Sequence, residues 1–366
     1  MILLNKIYTG LFLENGTEIY FDFTESMRLL LFDIEKLYNK LSDFDGTRNY
    51  RDNMIRTVLS DIDIESMFES SVIDSIAAIC CGKIKTKNQK TALNMLKILE
   101  SGLLDKSNVL SHEYLFEIWS VLTHQNNNYI KMGVGYRKSA VNVYKVGRYI
   151  FNSKIIHKAP SYNKVPALMT SLFSFLNNNT LLDNSFMNAI VKGILFNGYF
   201  VYVHPFLDGN GRTSRLLLNK YFVDSGLSKF RYISLTYVLK RRKTAYSSHL
   251  ADIETKNTGD FSDYILFMLS IIRELFDNLL SPNRKHVDVS SLSERQKIML
   301  KVIMGSSQGI SEKTYKYLWN KIASENKYAK INIEEASKDI IYLFDMGLLT
   351  VDERYIHYPG FKYYNK

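Results

Sequence analysis

The stretch His204-Pro205-Phe206-Leu207-Asp208-Gly209-Asn210-Gly211-Arg212-Thr213-Ser214-Arg215 decides how this chain is read. It gathers an imidazole, a carboxylate, two glycines flanking an asparagine, and two arginines. Gly209 and Gly211 have no side chain, so the backbone there can turn tightly and bring N–H groups close to an anion. From Arg212 to Leu218 the sequence reads as the start of a helix, whose unpaired N–H groups and partial positive charge suit phosphate. Arg212 and Arg215, three residues apart, share a helix face. Two guanidinium forks match phosphate oxygens in geometry as well as charge. Asp208 supplies one carboxylate, and Mg²⁺ is commonly held by one or two carboxylates plus substrate phosphates.

Upstream, Ser185 to Val203 is mostly apolar at helical spacing, with Phe186, Ile190, Ile194, Leu195 and Tyr199. The helix is expected to end near Val203, because the residue before a proline avoids the α region. His204 then lies at the helix exit, and an imidazole that titrates near neutrality suits a general base.

The twelve-residue string resembles the signature of the Fic (Fido) family, His-Pro-Phe-x-Asp/Glu-Gly-Asn-Gly-Arg-x-x-Arg, with no departure. Gly135-Tyr136-Arg137 and Val141-Asn142-Val143-Tyr144 resemble that family's flap segment. Val165-Pro166-Ala167-Leu168-Met169 resembles the helix after the flap, and Ser234 with Tyr246-x-x-x-Leu250 the segment after the motif. The likeness covers roughly residues 110–280. It implies a mainly α fold: a Fic-type helical bundle with a β-hairpin flap. It also implies transfer of AMP from ATP to a Ser, Thr or Tyr hydroxyl of a target protein or of the chain itself. On that resemblance His204 is the base and Asp208 the Mg²⁺ ligand. Gly209, Asn210 and Gly211 line the anion hole, while Arg212 and Arg215 meet the β- and γ-phosphates. Val141, Asn142, Val143 and Tyr144 form the flap edge that registers the target by strand addition. Tyr246 packs near the nucleoside.

Ser70-Ser71-Val72-Ile73-Asp74-Ser75 resembles the family's inhibitory motif, Ser/Thr-x-x-x-Glu-Gly/Asn, with two departures. Asp74 replaces Glu and Ser75 replaces Gly or Asn. Asp reaches about 1.5 Å less far, one bond length. The resemblance implies a weakened brake through Ser70 and Asp74 on Arg215. The same residues can also be read as a helix cap with an acid in its first turn.

With 366 residues, 46% apolar and 23% charged, the chain has the composition of a globular protein of two or three domains. Cys80 and Cys81 are its only cysteines; adjacent residues imply no disulfide framework and give no zinc spacing. The start, Met1 to Lys6, lacks a signal-peptide layout, and no uninterrupted apolar run reaches membrane length. A cytoplasmic protein without membrane attachment is expected. The net charge of +10 and a pI near 9.2 invite an acidic or nucleic-acid partner. The basic residues are spread along the chain, Lys240-Arg241-Arg242-Lys243 being the one tight run.

Four regions are expected. Residues 1–108 form an N-terminal region: a hairpin around Asn15-Gly16, a helix from Glu25 with Met27, Leu30, Leu31, Ile34, Leu37 and Leu41 inward, the inhibitory helix, and a helix over Thr91–Leu99. Residues 109–280 form the catalytic core, in which His112 and His124 read as structural or surface residues. Residues 281–286 are a linker, and 287–366 resemble a winged helix with its wing strands around 348–351 and 355–357. Its helix at 331–343 could meet DNA. Glu334, Glu335 and Asp339 place acid near phosphates, which favours protein contact or homodimerisation. Two other functions stand beside the transferase: a DNA-binding regulator with a nucleotide-sensing core, and a hydrolase that removes AMP.

Overall fold

The computed structural model describes residues 5–41, 50–65, 86–105, 110–124, 135–145, 154–256, 258–280, 292–297, 338–339, 342–343, 346, 350–352 and 355–357. It divides into two compact units, residues 1–48 with 98–280, and residues 49–97 with 281–366. The fold is mainly α, with three two-stranded antiparallel sheets among the described residues.

The first unit is built around α6 (Ser185–Val203). Asn184 starts this helix, its side chain accepting from the Met187 N–H at 2.9 Å. Ile190, Val191, Ile194, Leu195, Phe196 and Phe200 are fully buried, so the helix is enclosed on every side. By length and composition it could cross a membrane, yet 83% of its most apolar window is buried in this fold. Two glycines let neighbours close on it. A Cβ on Gly193 would stand 2.4 Å from the Phe222 ring of α7 (Asn210–Asp224), and one on Gly198 would stand 2.8 Å from the Tyr264 ring of α10 (Ser262–Leu280). Helix α5 (Val165–Asn178), with Pro166 in its first turn, packs on the same helix. The buried Lys192 of α6 donates to the Leu176 and Asn179 carbonyls at 2.8 and 2.6 Å, capping the α5 C-terminus. Burial pushes the Lys192 ammonium pKa down.

The hairpin expected around Asn15-Gly16 is present: β1 (Asn5–Phe12) pairs with β2 (Glu18–Phe23), and Gly16 takes φ +85° in the turn. Leu11, Leu13, Ile19 and Phe21 are buried. The hairpin belongs with the core instead of with a separate region 1–108. Tyr199 donates to the Phe12 carbonyl at 2.8 Å, and the Glu14 N–H donates to the Tyr202 hydroxyl at 2.8 Å. Tyr20 exchanges backbone hydrogen bonds with Gly259 and Phe261 at 2.9 Å each. Helix α1 (Glu25–Lys40), capped by Thr24, lies along α10 through Tyr38 against Phe276 and an Asp33–Arg273 pair at 2.5 Å. The expected 1–108 boundary therefore splits. Residues 1–48 cluster with the core because their apolar faces are buried there, and 49–97 cluster with the C-terminal segment.

In the second unit, α2 (Tyr50–Glu65) precedes α3 (Lys87–Glu100), which belongs to this unit as far as Lys97. Helix α3 begins four residues before the expected Thr91. Thr86 and Gln89 cap it reciprocally, each side chain accepting from the other's backbone N–H, at 2.9 and 3.3 Å. The expected wing strands form a hairpin, β5 (Thr350–Asp352) with β6 (Tyr355–His357), and α2 packs on β5. Asp339 is buried and paired with Arg295, and its carboxylate also accepts from the Gln296 amide at 3.1 Å. It does not present acid to a phosphate, as its place in the sequence had implied. Ser70, Asp74, Cys80, Cys81 and most of 298–349 lie outside the described residues.

Candidate active site

Three further helices complete the first unit, α4 (His112–Thr123), α8 (Leu235–Arg241) and α9 (Lys243–Lys256), with the flap hairpin β3 (Asn142–Lys145) and β4 (Lys154–Lys158). Helix α6 stops where Pro205 demands. His204 takes φ 50° and ψ 59°, the one non-glycine residue with positive φ among the described residues. A left-handed non-glycine backbone costs about 1–2 kcal/mol and needs external support. Arg137 gives it. Its Nε donates to the His204 carbonyl at 2.8 Å, its Nη2 to the Val203 and Pro160 carbonyls at 3.4 and 2.5 Å, and its Nη1 to the Ser139 carbonyl at 3.0 Å. The Arg137 N–H adds a bond to the Pro205 carbonyl at 2.9 Å. The flap arginine is thus a buried cation at a helix C-terminus, where the dipole favours it. Burial lowers its pKa.

The half-buried His204 ring places Nδ1 3.3 Å from the Val201 carbonyl. A carbonyl only accepts, so Nδ1 carries the proton and Nε2 is the basic nitrogen.

Residues 205–209 form a short turn closed by Asn210. Its Oδ1 accepts from the Phe206 N–H and its Nδ2 donates to the Phe206 carbonyl, both at 2.8 Å. Phe206 stacks on Trp119 of α4, ring centroids 4.6 Å apart and planes 11° from parallel. The Trp119 indole donates to the Asp208 carbonyl at 2.9 Å. Helix α7 begins at Asn210 behind Gly209, which takes φ 82° and gives no side-chain cap. The Asn210 side chain is spent on the turn, so what the first turn of α7 can offer an anion is backbone N–H.

The Asp208 Oδ1 accepts from the Gly209 N–H at 2.7 Å and from Arg212 Nη2 at 2.9 Å. The expected metal ligand and the expected phosphate ligand are thus paired with each other. Arg212 is buried, and its Nε has no hydrogen-bond partner among the described residues. Arg215 is also buried. Among the described residues, no three His, Cys, Asp or Glu side chains group as a metal site. The donor set fits a divalent ion that arrives with phosphates, which needs one protein carboxylate.

Behind the motif, Asn197 in mid-α6 is fully buried. Its Oδ1 accepts from the hydroxyls of Tyr246 (α9) at 3.0 Å and Tyr264 (α10) at 2.6 Å. Its Nδ2 donates to the Ser214 hydroxyl at 3.0 Å, and Ser214 donates to the Gly211 carbonyl at 2.9 Å. Burial holds the Tyr264 phenol well above its usual pKa. Tyr246, expected beside a nucleoside, is a buried member of this network. On the flap, β3 begins at Asn142, Val141 accepts from the Ala159 N–H at 3.2 Å, and a register shift separates Val143 from Tyr144. His112 bonds to the Tyr136 hydroxyl at 2.5 Å and the Thr170 hydroxyl at 3.1 Å, and His124 caps the end of α4.

Residues 109–222 match the model of the Fic/DOC family. The stretch that holds the motif is thus similar to the Fic/DOC family. It is 27% identical over 175 residues to a probable protein adenylyltransferase of Aquifex aeolicus, covering 48% of this chain and 49% of that protein. It is 27% identical over 121 residues to a protein adenylyltransferase Fic of Drosophila ananassae, 33% of this chain and 22% of that one. The matched segment thus spans about half of the first relative and less of the second. A Fic family protein from Desulfovibrio desulfuricans shares the fold, with a TM-score of 0.58 at 18% identity over 90% of this chain and 92% of its own. A Fic domain containing signaling protein from Bacteroides thetaiotaomicron has a TM-score of 0.50 at 16% identity, over 68% and 93%.

Sequence reasoning missed Arg137 as the clamp on His204, Trp119 as the support of Phe206, and Asn197 as the centre of a buried network. Asn197 did leave a signal, an amide in the middle of an apolar helix.

Proposed function

We propose that this chain is a protein adenylyltransferase that moves AMP from ATP to a Ser, Thr or Tyr hydroxyl of a target protein. The observation that carries this reading is His204. Its Nδ1–H donates to the Val201 carbonyl, so Nε2 is the nitrogen that takes a proton, and a turn closed by Asn210 joins it to the uncapped start of α7. The target hydroxyl oxygen attacks the α-phosphorus, His204 Nε2 takes the hydroxyl proton, and pyrophosphate leaves with the bonding electron pair. General-base help of this kind contributes typically ~10²–10⁴ in rate. The first N–H groups of α7 with Arg212 and Arg215 hold the phosphates in line and meet their charge.

Asp208 is the carboxylate that would hold Mg²⁺, and a divalent ion there supplies positive charge against the phosphate oxygens. Arg212 is paired with Asp208 Oδ1, and on this reading Asp208 would hold the divalent ion while Arg212 would meet the phosphates. The edge of β3 takes an extended target segment by strand addition.

Mass spectrometry of the purified chain incubated with Mg²⁺ and each nucleoside triphosphate tests this. A mass increase of one AMP unit with ATP, absent in His204→Ala, is expected. Label that persists in His204→Ala would clear this residue of the role.

A further inference from the structure

The net charge of +10 is unevenly built. Lysines and arginines run through the whole chain, but the acids do not. Between Glu117 and Asp183 there is no Asp or Glu, while eight Lys and Arg occur, among them Lys138, Lys145, Lys154 and Lys158. Between Asp224 and Asp252 there is again no acid, and six Lys and Arg occur, including the run Lys240 to Lys243. These two stretches hold more positive charge than the chain's net +10, so the remainder is net negative.

The fold brings the two stretches together. Strands β3 and β4 come from the first; α9 begins in the second, carries Asp252 and Glu254 near its end, and packs against β4. That leaves β3 as the outer strand of the flap. Lys138 beside the flap, Lys158 at the end of β4 and Arg241 at the end of α8 are exposed. Acids from elsewhere reach in at Lys164, 3.8 Å from Glu14, and at Arg242, 3.1 Å from Glu274. Arg137 is spent as the buried clamp. Lysines on an edge strand are a known guard against stray pairing. That guard needs cations at the edge alone; it does not explain the loss of every acid from the whole flap stretch and from α8 and the start of α9 as well.

We infer that the target segment taken by the flap is acidic, with Asp and Glu flanking the Ser, Thr or Tyr that receives the nucleotide. This rests on the transferase reading above. Backbone pairing along β3 accepts any extended segment, so selection must come from side chains. A one-signed surface speeds encounter with a complementary partner and rejects a like-charged one. Exposed pairs are weak singly, and several together give about a tenfold preference.

The test measures binding to the full chain by fluorescence anisotropy in the absence of ATP. The probes are extended peptides of about twelve residues with one central Tyr, flanked either by Asp and Glu or by Asn and Gln. The acidic peptide is expected to bind about tenfold more tightly at low salt, with the difference shrinking as salt screens it. Lys138→Glu with Lys158→Glu brings the acidic peptide down to the neutral one and leaves ATP affinity within about twofold. Arg241→Glu, outside the flap, weakens the acidic peptide in the same direction and serves should the flap variant misfold. Equal binding of the two peptides by the wild type overturns the inference. So does a single-stranded oligonucleotide that binds through the same lysines more tightly than the acidic peptide. A parallel reaction with ATP that gives no transfer sinks the transferase reading, whereas the charge preference stands or falls on the anisotropy alone.

Discussion

The Arg137 guanidinium donates to the His204 carbonyl at 2.8 Å, joining residues 67 apart in sequence. Flap and base are therefore one mechanical unit. The left-handed turn that aims the imidazole is held by the residue that opens the flap stretch.

Arg137→Ala removes the donors from four carbonyls at once. Hydrogen bonds from a charged donor are worth about 1.5–3 kcal/mol each, and partial replacement by water leaves an expected loss of about 3 kcal/mol. A misplaced base costs about 10²-fold in rate. Arg137→Lys is expected to recover little of either, because an ammonium cannot reproduce the fork. Urea unfolding and initial rates of AMP transfer check both, and a fully active Arg137→Lys would refute the clamp.

Asn197→Leu keeps the volume and removes the acceptor shared by Tyr246 and Tyr264. The two hydroxyls also bond each other, so one orphan remains, and a loss of about 1–3 kcal/mol is expected. Adding both Tyr246→Phe and Tyr264→Phe to Asn197→Leu is expected to recover about 1 kcal/mol, because the orphan is gone. Equilibrium denaturation of the set decides it. Additive losses would show that the three groups do not act as a network.

Gly193→Ala brings a methyl group to 2.4 Å from the Phe222 ring. Alanine favours a helix by about 1 kcal/mol over glycine, but overpacking costs about 1–3 kcal/mol. A net loss of about 1 kcal/mol is expected. A variant that melts above the wild type would mean that α7 moves away from α6 without cost.

Ser70 and Asp74 enter through resemblance alone. If Asp74 restrains Arg215, Asp74→Gly raises self-labelling with ATP several-fold. Equal labelling of the two proteins would remove the brake.

Several features were legible because their causes are local. Asn15-Gly16 between alternating apolar residues forms the hairpin, and Pro205 ends α6 at Val203. Gly209 and Gly211 leave the start of α7 without side chains over its N–H groups. The α3 start lies four residues ahead of the expected Thr91, because the reciprocal cap of Thr86 and Gln89 opens the helix at Lys87. What the motif does not reveal is that the Asn210 side-chain amide turns inward to hold Phe206, so that any part Asn210 plays toward an anion falls to its backbone N–H.

The sequence by itself determined the chemical parts of the site, the helix that ends at His204 and the helix that begins at Asn210, because periodicity, proline and glycine act within a few residues. Only the tertiary structure decided which partners those parts take: Arg137 on His204, Trp119 on Asp208, Tyr246 and Tyr264 on Asn197, and the N-terminal hairpin on Tyr199 and Tyr202. Such pairs lie tens to hundreds of residues apart. They form because packing around α6 buries polar groups that must then find one another, a demand that no local pattern records.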